Sequence, residues 1–256
     1  MSPIIPESMF DRFSVETVRT PQALAESMRV RFEVYCQEMG FEHADAFPDG
    51  KERNQYDHRA SHVVVTHRAT GLTAGSVRII TSSSPGLEGL PISDHAVIDH
   101  GCLRDTRHRF CEVSRLAVRP LFRRHGAVPP EVACLGPAFC ADWEDDRDLF
   151  SHIGAMLSFA AIAGWCHGGA DIMLILSRPA LVRRLQPIGI YFDPAGAPVE
   201  FRGIRRPFYM CSHHLARMPE QSREQVERIA ELLGDETGTR AGNFRPSPAK
   251  SLAYAS

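Results

Sequence analysis

Two charged side chains lie inside an otherwise apolar stretch near the middle of the chain, residues 111–118. This stretch is short and Pro120 follows it, which is typical of a β-strand that ends where proline removes a ladder donor. Burying the charges of Glu112 and Arg115 in a sheet is costly unless they are paired or used in chemistry. Because apolar neighbours can raise the pKa of a carboxyl group toward neutrality, Glu112 is a candidate general base.

The spacing of these two residues predicts an irregular strand. Successive residues of a strand point to opposite faces, so Glu112 and Arg115 share a side only if a bulge inserts an extra residue. We therefore expect a bulge within residues 114–117.

A basic turn that contains glycine follows the strand. Such a turn can present backbone N–H groups to a phosphate, and Arg123, Arg124 and Gly126 fit that pattern. The same composition is also common in solvated surface turns, so the pattern alone leaves both interpretations open.

A helix with one unusual charged residue is predicted near the N-terminus. Thr20 and Pro21 form an N-cap and first-turn pair, and Gly40 ends the apolar periodicity. Arg31 lies on the otherwise apolar face of this helix. A snorkelling or edge-paired arginine explains that position as well as a functional one does.

The remaining patterns predict a mixed α/β protein. Helices are expected over 151–166, with Ser151 as N-cap, and over 179–186. Strands are expected over 13–18, 61–66, 73–80, 171–176 and 207–211. The second and third strands form a hairpin, and the third contains Arg78.

Composition excludes several classes of protein. The 256 residues are 43% hydrophobic and carry a net charge of −2, which gives no argument for binding nucleic acid or a membrane surface. Seven cysteines without CxxC spacing indicate reduced thiols. No leader or apolar run long enough to span a bilayer is evident, so we expect a cytoplasmic protein without an integral membrane segment.

A metal site is not expected. The candidates are the doublets at Asp94 and His95 and at Asp99 and His100. Their spacing of five residues does not place them on one helical face, and no further ligand set accompanies them.

The chain divides by pattern into three parts. We expect one domain over residues 1–218, with an insertion at about 127–150, then a helix over 219–234. Residues 235–256 are poor in large apolar side chains and are expected to be disordered.

Four blocks in order carry a family resemblance: RFEVYCQEMGF, ERNQYD, GSVRII and EVSRLAV. The chain resembles GNAT acyltransferases, in the branch of autoinducer synthases, long-chain N-acyl amino acid synthases and acyltransferases associated with PEP-CTERM/exosortase systems. The resemblance covers about residues 10–215. It implies a GNAT fold, a mixed central sheet splayed at the bulged strand with helices on both faces.

The resemblance also implies roles along the strand and turn. Glu112 would be the base, and Arg115 would orient it or bind the carboxylate of the acceptor. Backbone N–H groups from Leu116 to Val118 would stabilise the oxyanion of a thioester. A phosphopantetheine phosphate would be held at Arg123, Arg124, Gly126 and Val128. A nucleophilic cysteine, Cys111, is the competing mechanism.

For the acceptor side, the resemblance implies a set from three segments: Arg31, Tyr35, Phe41, Glu52, Asp57 and Arg78. Autoinducer synthases have an E-x-D-x-x-D pattern in this region, whereas this chain has Asn54 at the middle position. That departure favours an amino acid or a similar small amine over the acceptor of homoserine lactone synthesis.

The implied co-substrate is an acyl thioester on acyl carrier protein or coenzyme A, with no permanently bound cofactor. Because acyl carrier protein is acidic, it would dock on arginines, namely Arg104, Arg107, Arg109, Arg119 and Arg123. Two alternatives stay open, a homoserine lactone synthase type of enzyme and a non-catalytic module that binds an acyl group or an effector.

Overall fold

The computed structural model describes residues 4–99, 101–103, 107–123 and 127–235. Arg104, Arg124, Gly126, His100 and the tail beyond Asp235 lie outside the described residues. The α-helices of the described chain are α1 Glu7–Arg12, α2 Pro21–Phe32, α3 Pro130–Ala133, α4 Pro137–Asp145, α5 Ile153–Gly168, α6 Pro179–Leu185, α7 Ser212–Arg217 and α8 Glu220–Asp235. Its strands are β1 Phe13–Thr17, β2 Ser61–His67, β3 Thr73–Thr81, β4 Phe110–Val118, β5 Ile172–Ser177, β6 Asp193–Pro194, β7 Val199–Glu200 and β8 Ile204–Cys211.

The described strands form one mixed sheet. Their order is β1-β2-β3-β4-β5-β8-β6, and β7 pairs with β8. The pair β4–β5 is parallel, whereas β1–β2 and β5–β8 are antiparallel. The expected mixed α/β sheet is confirmed.

The chain forms two compact units. The first is Met1–Arg78 with Arg115–Ala160, and the second is Ile79–Ser114 with Ala161–Ser256. Strand β4 belongs to both units: the second unit includes it as far as Ser114, and the first unit includes it from Arg115 onward. The division into a domain over 1–218 and a separate C-terminal helix stays a prediction.

Helix α2 begins as its sequence requires. Thr20 has an extended backbone and its side chain accepts a hydrogen bond from the N–H of Ala23 at 3.1 Å, while Pro21 opens the first turn. The helix continues as a π-helix, Glu33–Glu38, before Gly40 adopts a positive φ of 61°. Widened turns of this kind are frequent at functional sites.

Strand β4 is irregular in the region that the spacing of Glu112 and Arg115 indicated. The β4–β5 ladder runs from Phe110↔Ile172 to Glu112↔Leu174, while β5 stays paired with β8 as far as Ser177. Arg115 has a φ of 53°, in the left-handed region that L-residues rarely adopt. This irregularity lies within residues 114–117, where a bulge is expected from the sequence.

One boundary prediction is wrong. Ser151 does not cap α5, because the chain already turns in a 3₁₀ helix, Arg147–His152, and the Ser151 hydroxyl donates to the carbonyl of Asp148. The segment expected to be an insertion, about 127–150, contains α3 and α4. Trp143 of α4 is buried and packs on Phe122 and Phe150, so tertiary packing stabilises a short helix that periodicity did not reveal.

One helical stretch, Arg147–Gly168, is long and apolar enough by composition to cross a membrane. Of its most apolar window, 56% is buried within the described protein. The core helix of a globular protein passes the same test, so this is weak evidence for a membrane segment.

A glycine on β3 allows close packing in the first unit. A Cβ added to Gly75 would lie 2.6 Å from Leu157 Cδ1 and 2.9 Å from the carbonyl oxygen of Ala117. We expect Gly75→Ala to destabilise the protein by about 1–3 kcal/mol, because the backbone of β4 cannot move aside cheaply. Urea unfolding measures this.

The matched control for this substitution is Gly154→Ala in the first turn of α5. No atom lies within 4 Å of a Cβ there, and its φ is not positive. Because alanine favours helix, we expect this variant to be as stable as the wild type or up to about 1 kcal/mol more stable. Equal losses in both variants would contradict the packing argument.

Candidate functional site

Glu112 is buried at the point where the β4–β5 ladder ends. Its side chain is held in the second unit, where Oε2 accepts a hydrogen bond of 2.6 Å from the backbone N–H of Ile92. Ile92 belongs to a 3₁₀ helix, Pro91–Asp94, in the long segment between β3 and β4. A carboxylate that is only 4% exposed and bound by a backbone donor has a fixed orientation.

Arg115 is held by its side chain in a strained backbone conformation. A positive φ costs about 1–2 kcal/mol for an L-residue. Its Nε and Nη2 donate to Glu52 Oε1 at 3.2 and 3.1 Å, and Nη2 donates to Glu42 Oε1 at 2.9 Å. The guanidinium also lies over the ring of Tyr35, 5.3 Å from its centroid.

Arg31 lies at the centre of a buried ion network in the first unit. Its Nε donates to Glu52 Oε2 at 2.5 Å, and its two Nη atoms donate to the two oxygens of Asp57 at 2.7 and 3.0 Å. The side chain is 0% exposed. Planar, two-pronged contacts of this kind are what make a buried arginine tolerable.

The acids of the segment after Phe41 are therefore bound by arginines from other parts of the chain. Asp57 accepts additionally from Arg78 Nη1 at 3.1 Å and from the backbone N–H of Asn54 at 2.7 Å. Asn54 takes part as well, since its Oδ1 accepts from Arg78 Nη1 at 2.8 Å. The structure brings the predicted residues Arg31, Glu52, Asp57 and Arg78 into one network.

The charges within this network shift the pKa values of its acids and of Arg78. Burial raises the pKa of Asp57, but the hydrogen bonds and charge of Arg31 outweigh it and hold that pKa well below its usual range. The same balance lowers the pKa of Glu52, with Arg31 and Arg115 opposing burial. Burial and the charge of Arg31 lower the pKa of Arg78. Both carboxylates are ionised at neutral pH.

Sequence reasoning missed His62 and Glu42. Buried His62 has its Nε2 3.6 Å from Asp57 Oδ1 and its Nδ1 3.5 Å from the hydroxyl of Ser27. Burial, with the charge of Arg31, lowers its pKa to about 4, so it is neutral at pH 7. The alternation of β2 could have placed His62 inside, whereas no periodicity marks Glu42 in its loop.

The aromatic residues of the predicted acceptor side lie beside Arg115. Tyr35 stacks on Phe41 with ring centroids 6.5 Å apart, and both are half-buried. The hydroxyl of Tyr35 donates to the carbonyl of Leu116 at 2.9 Å. A charged group, two aromatic faces and strand backbone thus meet within the first unit.

Two arginines expected to meet a partner or phosphate are bound within the chain. Arg119 forms a two-pronged pair with Glu33, with Nε to Oε2 at 2.8 Å. Arg123 pairs with Glu38, and its Nε donates to the carbonyl of Val118 at 2.9 Å. Of the other expected docking arginines, Arg107 and Arg109 are exposed.

A cleft of about 620 Å³ in the first unit is lined by Pro120, Leu121 and Ala127, which flank the turn predicted to bind phosphate. Val128, the next residue, is half-buried. The described wall of the cleft carries both signs of charge, with Glu38 and Asp49 opposed by Arg29 and Arg147.

The competing mechanism, a nucleophilic cysteine, has little support. Burial raises the pKa of Cys111 well above its usual value, which disfavours the thiolate that nucleophilic catalysis requires. Within the described ranges, no group of three or more His, Cys, Asp or Glu side chains is arranged to hold a metal ion.

Comparison with known proteins found one matching family model and several solved structures of similar fold. The model of an acetyltransferase (GNAT) domain matches residues 30–129. The chain shares its fold with BjaI, a CoA-dependent acyl-homoserine lactone synthase solved with MTA. These two are 14% identical over 85% of this chain and 89% of BjaI, with a TM-score of 0.52. A search of curated proteins found no match.

Two further solved structures have the same fold. TofI, solved in a ternary complex with an inhibitor and MTA, is 17% identical over 86% of this chain and 99% of its own, with a TM-score of 0.53. FeeM, an N-acyl amino acid synthase from uncultured soil microbes, is 14% identical over 81% of this chain and 95% of its own, with a TM-score of 0.50. With the mixed sheet and the irregular β4, these matches confirm the expected fold: residues 30–129 match the GNAT domain model, and the chain shares the fold of these solved structures.

Proposed function

We propose that this protein is an N-acyltransferase that moves a fatty acyl group from a thioester to the amine of an amino acid or a similar small molecule. The observation that carries the proposal is the geometry of β4. Its ladder with β5 ends at buried Glu112, and Arg115 turns the backbone three residues later. A strand with an unpaired edge, a fixed carboxylate and a held arginine has the parts that acyl transfer needs.

The reaction assigns a task to each part. Glu112 accepts a proton from the amine, directly or through water, and the amine attacks the thioester carbonyl. The backbone N–H groups of Leu116 and Val118 stabilise the oxyanion of the tetrahedral intermediate. The C–S bond then breaks, the thiolate leaves and takes up a proton, and the new C–N bond remains as an amide.

The acceptor side is proposed to lie on the more accessible face of the ion network. Arg115 is 16% exposed and Glu42 21%, whereas Arg31 and Arg78 are fully enclosed. Glu52 and Asp57 would then act by holding arginines, and Arg115 with the aromatic rings of Tyr35 and Phe41 would meet the acceptor, while the Tyr35 hydroxyl stays bonded to the carbonyl of Leu116. An arginine held by carboxylates and stacked on a ring can bind a carboxylate in a fixed orientation.

The donor is proposed to be acyl carrier protein or coenzyme A, with its phosphate near Arg123, Val128 and the residues between them. BjaI supports a thioester donor, because it was solved with SAM and isopentyl-CoA. Arg107 and Arg109 are exposed, and their positive charges would attract an acidic carrier protein. A cytoplasmic location and an association with exosortase systems belong to the same proposal.

The proposal is tested by incubating the purified protein with acyl-CoA and acyl-carrier-protein thioesters and a panel of amino acids. Release of free thiol follows the reaction, and mass spectrometry identifies the products. We expect N-acylated amino acids. Products acylated only on oxygen, or no thiol release with any thioester, would defeat the proposal and favour a non-catalytic binding module.

A second candidate, a homoserine lactone synthase type of enzyme, is favoured by the shared fold with BjaI. The residue at position 54 distinguishes the two proposed activities. Autoinducer synthases have an acid there, whose carboxylate would attract a cationic acceptor such as SAM, whereas Asn54 has a neutral amide. Its Oδ1 accepts from Arg78 Nη1 at 2.8 Å and from the N–H of Tyr56 at 3.1 Å. An aspartate at this position can keep both hydrogen bonds and add one negative charge.

We therefore expect Asn54→Asp to shift the ratio of kcat/KM values toward a cationic acceptor by about tenfold, equivalent to about 1.4 kcal/mol. Competition between SAM and a neutral-side-chain amino acid measures this shift. Asp45→Asn, in the same exposed segment, is the control and leaves the ratio unchanged. A wild type that already prefers SAM would support the second candidate.

A further inference from the structure

The part of β4 that follows Arg115 has one edge toward β3. The N–H of Arg119 donates to the carbonyl of Ala74 at 2.8 Å. The carbonyl of Ala117 also faces β3, since it would lie 2.9 Å from a Cβ on Gly75. Backbone groups alternate between the two edges of a strand. Leu116 and Val118 therefore present their N–H and C=O groups on the edge that faces away from β3.

Side-chain donors occupy both carbonyl groups on this second edge. The Tyr35 hydroxyl donates to the carbonyl of Leu116 at 2.9 Å, and Arg123 Nε donates to the carbonyl of Val118 at the same distance. An unpaired strand edge ordinarily offers both donors and acceptors. With its acceptors occupied, this edge is left with N–H groups to offer.

The packing of Tyr35 makes it a rigid donor. It belongs to the π-helix Glu33–Glu38 and packs against a buried cluster of Val30, Val34 and Ala117. Phe41 stacks on its ring, and the Arg115 guanidinium lies over it. Because the ring is held on several sides, its hydroxyl fixes the plane of the peptide that begins at Leu116.

We propose that Tyr35 and Arg123 are positioning residues that cap the carbonyls of Leu116 and Val118 and so make this strand edge a donor-only surface. This inference rests on the proposed function, because the group that the edge would bind is the thioester carbonyl. An uncapped carbonyl would place a partial negative charge beside the developing oxyanion, which opposes the reaction. The caps thus stabilise the intermediate without touching it.

Tyr35→Phe tests the inference, since it removes the hydroxyl and keeps the ring that packs on Phe41. We expect kcat for acyl transfer to fall about tenfold, because the donors lose their alignment. The KM for the thioester should change less than twofold, since ground-state binding does not depend on those donors. Tyr191→Phe, a half-buried tyrosine of the second unit, is the control and retains wild-type kinetics.

Amide hydrogen exchange gives a second readout that needs no substrate. The N–H of Ala117 belongs to the peptide that Tyr35 caps and faces β3. It should exchange several-fold faster in Tyr35→Phe than in the wild type, and exchange in β2 should not change. If the wild type transfers no acyl group but exchange rises, the capping inference stands and the proposed function falls. Unchanged exchange at Ala117, or an active enzyme whose kcat is insensitive to Tyr35→Phe, overturns the inference.

Discussion

We expect Glu112→Gln to lower kcat for acyl transfer by about 10²–10⁴-fold, the range contributed by a positioned general base. Glutamine has nearly the shape of glutamate, and its amide oxygen can still accept the 2.6 Å hydrogen bond from the N–H of Ile92. The substitution therefore removes the ability to accept a proton and keeps the local fold. Steady-state kinetics with thiol release as the signal measure the loss.

The pH dependence identifies the cause of this loss. At higher pH, solvent deprotonates more of the acceptor amine, so the difference between wild type and Glu112→Gln should narrow. Asp171→Asn is a matched control, because Asp171 also accepts a hydrogen bond from a backbone N–H, that of Arg109, at 2.9 Å. The control should retain its rate within about twofold, since Asp171 is exposed and has no part in the proposed chemistry. A fully active Glu112→Gln would remove Glu112 from the mechanism.

The second large effect concerns stability. We expect Arg31→Met to lower the free energy of unfolding by about 3–5 kcal/mol, the cost of removing one partner from buried ion pairs. Buried Glu52 and Asp57 would each lose a charged partner at 2.5–2.7 Å and keep only Arg115 and Arg78, respectively. Urea unfolding followed by circular dichroism measures the change, if the variant unfolds in one transition.

Arg29→Met is the matched control on the same helix. Arg29 is 45% exposed and pairs with Glu26, so its loss should change stability by less than about 0.5 kcal/mol. A similar loss in both variants would mean that helix propensity, rather than the buried network, explains the effect.

The pH dependence of the Arg31→Met loss has a definite sign. In the wild type the pKa of Asp57 is depressed, so its contribution is present above the unfolded pKa of 3.8 and is lost as pH falls through the folded value. In the variant, burial favours the neutral carboxyl group. The stability difference should therefore narrow between neutral pH and pH 4, and a difference that widens would contradict this account.

The strand chemistry was predictable because it depends on local rules. Glu112 and Arg115 are conspicuous in an apolar segment, and the two-residue period of a strand requires a break between them. The structure has that break at Arg115, with a φ of 53°. The cap at Thr20 and the hairpin strands β2 and β3 follow from equally local signals.

The partners of the charged residues were not predictable in the same way. Glu52 is 21 residues from Arg31 and 63 residues from Arg115, and its segment has no periodicity that fixes an orientation. Family resemblance assigned Glu52 and Asp57 to substrate binding, whereas their oxygens are bound to arginines. The role of Asn54 as an acceptor for Arg78 depends on the fold of the same loop.

By itself, the sequence determined which residues had to be exceptional: an acid and an arginine in an apolar strand, an arginine on an apolar helix face, and a basic turn after the strand. Only the tertiary structure decided how those charges are satisfied, including the bond from Tyr35 to Leu116 across 81 residues. The physical reason is that burial cost and backbone period act on neighbouring residues, whereas the choice of a hydrogen-bond partner depends on which distant segments the packed core brings together.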